Sequence, residues 1–231
     1  MRTKSLLAAA AFIAAGVASS MAQSNVYSLN IVGYYNVPVA GSLTAMANSL
    51  KADAGGAVDR LDKVIPFADG NNVQVWNGAS WDLWAMDSIS ATGYVNPAGA
   101  DAPLTSLPVL GPGKGFFYGN NIGTTSVTFV GEVRTGTNTV AIPTGLRPLG
   151  SPLPLGGAVS TGSLNLQVQD GDNIQLWTGN TWALYARDSI STTGWVLPNG
   201  SDGPEPTLNV GQGFFYGNNV GAFNWVQILN P

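Results

Sequence analysis

Few residues in this chain are equipped for chemistry. There is no histidine and no cysteine. The Ser-His-Asp and Cys-His arrangements of nucleophilic catalysis are therefore out of reach, and so are zinc and copper sites of the ordinary kind. Carboxylates remain. Glycoside hydrolysis needs two of them flanking one bond, but Glu132 and Glu205 do not hold matching places in the duplication described below. The expectation is a non-enzyme with no catalytic residue and no cofactor.

Three aspartates recur, as Asp69/Asp170, Asp87/Asp188 and Asp101/Asp202. Asp69-Gly-Asn-Asn and Asp170-Gly-Asp-Asn, the latter including Asp172, offer oxygen donors of the kind calcium accepts. Their spacing is not that of an EF-hand loop, and the donors fall short of a full calcium shell. Asp-Gly is also routine turn chemistry, with the carboxylate bonding nearby backbone. That is the role expected of Asp69, Asp170 and Asp172. Asp87-Ser88 and Asp188-Ser189 are expected at strand-end turns.

The aromatic residues are the stronger binding candidates. Trp76, Trp81 and Trp84, with Trp177, Trp182 and Tyr185, are of the type that forms platforms for sugar rings. Tryptophan is also highly buried on average. The competing expectation is that these side chains are core, or contacts between repeats.

The elements that must position these residues read as strands and turns. Gly113-Lys-Gly-Phe-Phe-Tyr-Gly-Asn-Asn-Ile-Gly123 returns as Gly211-Gln-Gly-Phe-Phe-Tyr-Gly-Asn-Asn-Val-Gly221. Its glycines admit positive φ or a close backbone approach. Phe-Phe-Tyr favours a covered strand, and Gly-Asn-Asn ends it. A phosphate cradle would need a helix to follow, and this sequence is a poor helix start. Phe116 and Phe214 are expected in equivalent core positions, with Phe117 and Phe215 on the opposite strand face. Upstream, 25–39 is strand-like, 43–50 is a second strand, and 57–65 has the apolar spacing of a short helix.

The clearest hairpin joins Val73-Gln-Val-Trp76 to Trp81-Asp-Leu-Trp-Ala-Met86 across Asn77-Gly78. Gln74, Trp76, Trp81, Leu83 and Ala85 share one face; Val73, Val75, Asp82, Trp84 and Met86 share the other. Both faces are substantially apolar. The hairpin is thus expected to be covered on both sides, or to use one face as a contact surface.

Residues 69–103 align without a gap with residues 170–204, so that Trp76 matches Trp177 and Trp81 matches Trp182. After a three-residue shortening the Gly-x-Gly-Phe-Phe-Tyr block matches again. A period of about 100 residues is domain-sized, not solenoid-sized. The expectation is an all-β protein of two tandem homologous repeats, 23–135 and 136–231. Each would be a β-sandwich or barrel-like unit of about six strands with one short helix.

Residues 1–22 read as a signal peptide. Arg2 and Lys4 precede an apolar run, and Ser20-Met21-Ala22 supplies a small-residue cleavage site. Cleavage after Ala22 takes the net charge from −4 to −6. An acidic chain without a basic patch is not expected to bind nucleic acid. No later stretch is long and apolar enough to span a membrane. The expected location is secreted, at the cell surface or extracellular, with the periplasm as the other compartment.

The opening Asn-Val-Tyr-Ser-Leu-Asn-Ile-Val-Gly-Tyr, the Trp-Asn-Gly hairpin, the Gly-x-Gly-Phe-Phe strand and Val-Thr-Phe-Val-Gly-Glu-Val together resemble a family of exported tandem-repeat proteins from verrucomicrobial-type bacteria. The resemblance covers nearly all of the chain after the leader. It implies export and an all-β fold, and carries no activity or site residues with it. The function expected is that of a non-enzymatic surface or extracellular-matrix structural protein, self-assembling through β-strand and aromatic contacts with itself or other surface proteins. The alternative is a carbohydrate-binding module for polysaccharide, with one aromatic site per repeat.

Overall fold

The computed structural model describes residues 31–39, 41–52 and 58–230. The leader, its cleavage point and residues 23–30 lie outside them. From Ile31 onward the chain forms one compact unit. The first copy runs through β1 (Val32–Pro38), β2 (Leu43–Ala47), a helical turn α1 (Leu61–Val64), β3 (Asn72–Trp76), β4 (Trp81–Met86), β5 (Tyr94–Val95), β6 (Gly115–Gly119) and β7 (Ser126–Glu132). The second runs through β8 (Gly136–Ile142), β9 (Gly145–Leu149), β10 (Gly157–Ala158), β11 (Asn173–Trp177), β12 (Trp182–Arg187), β13 (Trp195–Val196), β14 (Thr207–Leu208), β15 (Phe214–Asn218) and β16 (Phe223–Leu229). No helix among the described residues is long and apolar enough to cross a membrane.

The protein is all-β, and the two copies share one topology. Each has a five-stranded antiparallel sheet, β2-β6-β3-β4-β5 in the first and β9-β15-β11-β12-β13 in the second. Each also pairs its first strand with its last as a two-stranded ribbon, β1-β7 and β8-β16. The ribbon covers one face of the sheet, as in a small sandwich. In the first copy Val73, Met86, Phe116 and Tyr118 from the sheet meet Val37, Val127 and Phe129 from the ribbon. In the second, Ile174, Trp195, Phe214 and Tyr216 meet Ile142 and Trp225. Phe116 and Phe214 thus occupy equivalent core positions, 6.5 Å from Phe129 and 6.2 Å from Trp225 between ring centroids.

The copies differ where a helix was expected in each. In the first, only Leu61–Val64 is helical, buried through Leu61 and Val64 and ending in an extended Ile65. The chain cannot wind further there, because Pro66 disfavours helical geometry at the residue before it. The second copy has no helix among the described residues. Its counterpart segment is β10, which pairs with β14 through Ala158↔Thr207. The first copy makes the same contact as the lone bridge Arg60↔Val109.

The Gly-x-Gly segments join the copies. β2 pairs with β6 on one edge, and on its other edge it meets the second copy. Ala47 N donates to Gly211 O at 2.8 Å and Gly213 N to Ala45 O at 3.2 Å, around the bridge Met46↔Gln212. The reciprocal contact places Lys114 opposite Leu149, with Gly150 N donating to Gly113 O at 3.2 Å. Each copy's terminal strand therefore completes its hydrogen bonding on the other copy, so neither sheet leaves that edge open. Gly113 and Gly211 turn with φ of +92° and +77°. A Cβ on Gly115 would lie 2.6 Å from Leu149 O, and one on Gly213 2.5 Å from Met46 O. Glycine is required at both because another backbone occupies the space of a side chain.

Candidate functional site

The hairpin register is Trp76↔Trp81 in the first copy and Trp177↔Trp182 in the second. This places all four indoles on the sheet face turned away from the ribbon, together with Phe117 and Phe215. There they meet across the two copies. Trp81 lies 4.9 Å from Phe117 and 5.7 Å from Phe215. Trp182 lies 5.8 Å from Phe117 and 5.0 Å from Phe215. Trp76 packs on Trp81 at 5.5 Å and Trp177 on Trp182 at 5.0 Å, with Phe117 5.7 Å from Trp177. All are edge-to-face pairs, the arrangement favoured by ring quadrupoles and worth about 0.5–1.5 kcal/mol each beyond burial. Trp182 keeps 38% of its surface exposed at the rim. Trp84 and Tyr185, on the opposite faces, are half-buried against the core of their own copy. The hairpin is covered by its own ribbon on one side and in part by the other copy on the other, where Leu83 stays 44% exposed.

The recurring aspartates hold turns. Asp69 accepts from Ser88 N at 2.7 Å and Ser88 Oγ at 2.8 Å, and these bonds hold its carboxyl below the usual range. Asp170 accepts from Ser189 N at 2.6 Å and from Ser189 Oγ at 3.0 Å. Asp172 is buried and accepts from Tyr216 Oη, Gln169 N at 3.0 Å and Asn219 N at 2.8 Å. Burial first, then the bond and the charge of Asp172, push the Tyr216 hydroxyl far above the ordinary tyrosine value. Asn71 takes this place in the first copy, donating to Tyr118 Oη at 2.6 Å and accepting from Asn121 N at 2.8 Å. Among the described residues no three acidic side chains gather as a metal site would need.

The seam between the copies opens into two clefts, one on each side of the contact. The larger, of about 710 Å³, is lined by Trp76 and the 112–115 segment of the first copy and by parts of β8 and β9 with Ala222–Asn224 of the second. Its walls are apolar through Val75, Val140 and Phe223, and its charged lining residues are Lys114 and Arg147. Arg147 Nε is buried without a hydrogen-bond partner. The smaller cleft, of about 250 Å³, has Trp177 in the place of Trp76 and Gln212 in the place of Lys114. Thr44 stands where Arg147 does, since Thr44 pairs with Tyr118 and Arg147 with Tyr216. There the Trp177 indole donates to Leu43 O at 2.9 Å, drawing the two copies together.

Lys114 and Arg147 are not legible from the features the copies share. The signal for them is a difference: a cation in one copy where the other has a neutral residue.

Comparison with protein-family models, with curated proteins and with solved structures finds no match to this chain.

Proposed function

We propose that this protein is a non-enzymatic, exported structural component of the cell surface or extracellular matrix, which associates with further copies of itself through the β1-β7 ribbon. The observation that carries this reading is the outer face of that ribbon. Val32, Tyr34 and Val130 are 69%, 75% and 55% exposed, and Tyr34 lies directly opposite Val130. Among the described residues β1 pairs with β7 alone. Its second edge is therefore available to a strand of another copy, with the apolar face as the adjoining contact. The low share of charged residues, 10%, supports association by reducing repulsion between copies. The lack of His and Cys, and a larger cleft lined by no carboxylate, favour a role without catalysis.

A polysaccharide-binding module with one aromatic site per repeat draws less support. Of its six aromatics, Trp81, Trp177 and Trp182 pack on a phenylalanine of the other copy, and Trp84 and Tyr185 lie against the cores, so no matching aromatic site stands free in each repeat.

Light scattering of the chain from Gln23 onward tests the proposal. The expected result is a mass that rises with concentration. The double substitution Tyr34→Ser and Val130→Ser should abolish the rise while changing stability by no more than about 0.5 kcal/mol, as surface changes do. A wild-type chain that stays monomeric at every concentration overturns the reading.

A further inference from the structure

We propose that the larger seam cleft is a binding site for an acidic saccharide, with Trp76 as the stacking surface and Arg147 and Lys114 as partners of the carboxylate. The cleft's volume of about 710 Å³ lies in the range of small-molecule sites, commonly about 300–1,000 Å³. Its composition is selective. The two charged side chains that line it are both cations, in a chain whose net charge is −4. Neither makes an ion pair with a carboxylate among the described residues. Lys114 reaches only the Val109 carbonyl, at 3.4 Å. Arg147 leaves its Nε buried and unpartnered, a costly state for a charged group unless a ligand completes it. A guanidinium and an ammonium lining one cleft suit a carboxylate, which accepts bidentate hydrogen bonds from the former and is attracted by the charge of the latter.

The duplication supplies an internal control. The twin cleft keeps the same strands and the equivalent tryptophan, yet has Gln212 and Thr44 in place of the two cations. The fold therefore does not require cations at these positions. The twin is also the smaller, and the bond from Trp177 to Leu43 O spans the two copies there. The Trp76 indole N–H has no such partner among the described residues, and Trp76 lines the cleft half-exposed. An aromatic surface with apolar walls takes the face of a pyranose, and the cations select one that carries a carboxylate.

Isothermal titration of the chain from Gln23 onward with digalacturonate, with the neutral digalactoside and citrate as comparisons, tests the site. The expected result is saturable binding of digalacturonate, accompanied by a change in tryptophan fluorescence, with at least tenfold weaker binding of either comparison. Lys114→Gln and Arg147→Thr, which copy the twin cleft, should each weaken digalacturonate binding at least tenfold. Lys114 is exposed, so Lys114→Gln tests the site even if Arg147→Thr perturbs folding. Failure of digalacturonate to bind, or undiminished binding by Lys114→Gln, overturns the site. Equal binding of citrate overturns the saccharide assignment, and equal binding of the digalactoside overturns the role of the cations.

Discussion

Gly115 and Gly213 carry the contact between the copies at the scale of single atoms. Each lies against the backbone of the other copy's terminal strand, at Leu149 and Met46 respectively. Backbone atoms in a paired strand cannot step aside as a flexible side chain can. Gly213→Ala should therefore destabilise the protein by about 2–3 kcal/mol, the upper part of the range for overpacking. Gly221 is the comparison, because a Cβ there meets nothing within 4 Å. Gly221→Ala should change stability by no more than about 0.5 kcal/mol. Chemical denaturation of the two variants beside wild type checks both values, and equal midpoints for the two would refute the close-approach role of Gly213. The need for glycine was legible in the repeated Gly-x-Gly, but its cause was not. Positive φ and close approach look alike in sequence; here the first glycine of each motif takes a positive φ and meets side chains of the other copy, and the second meets its backbone.

At the scale of elements, what could be read was what depends on near neighbours. The Asn77-Gly78 hairpin, the alternation that separates Trp76 from Val75, and the Phe-Phe-Tyr strand all follow from local period and turn chemistry. What covers the Trp76 face did not follow, because that depends on a register between strands a hundred residues apart. The helix expected in the second copy failed for a related reason. Its segment is held by pairing of β10 with β14, and by a carboxylate that the first copy lacks. Glu205 accepts from Ser160 N at 2.5 Å, Ser160 Oγ at 2.6 Å, Thr161 N at 2.9 Å and Thr161 Oγ1 at 2.5 Å. Burial pushes this carboxyl up, but the bonds from Ser160 and Thr161 outweigh it and leave the group below its ordinary 4.5. A depressed folded pKa stabilises the protein above the unfolded value, and that stability is lost as pH falls through the folded value. Glu205→Gln should therefore melt below wild type at pH 7, and the gap should close as pH drops below 4.5. Melting curves from pH 7 to about pH 3, below the ordinary carboxylate range, decide the point. A gap of constant size would mean that the Glu205 carboxylate does not clamp this segment.

At the scale of the whole molecule the two copies relate to each other as the subunits of a two-fold dimer do. Each lends its Gly-x-Gly segment to the other's terminal strand, and Trp81 meets Phe215 as Trp182 meets Phe117. Such a contact is self-complementary, so one copy alone carries both halves of it. The residues nearest the centre decide which copy can use them. Ala47 and Gly150 are equivalent and lie against each other; a Cβ on Gly150 would fall on the Ala47 methyl. Two second copies would place glycine against glycine there, and the strands could approach as they do now. Two first copies would place methyl against methyl in space that holds only one. We therefore expect residues 136–231 expressed alone to form a folded dimer, and residues 23–135 alone to remain unfolded or to aggregate. A first half carrying Ala47→Gly should regain the ability to dimerise. Sedimentation equilibrium reports mass and circular dichroism reports fold. A second half that is folded and monomeric would mean that the aromatic seam and the shared strand edges are dispensable. A first half that dimerises with Ala47 in place would mean that the centre of the seam yields more than backbone packing permits.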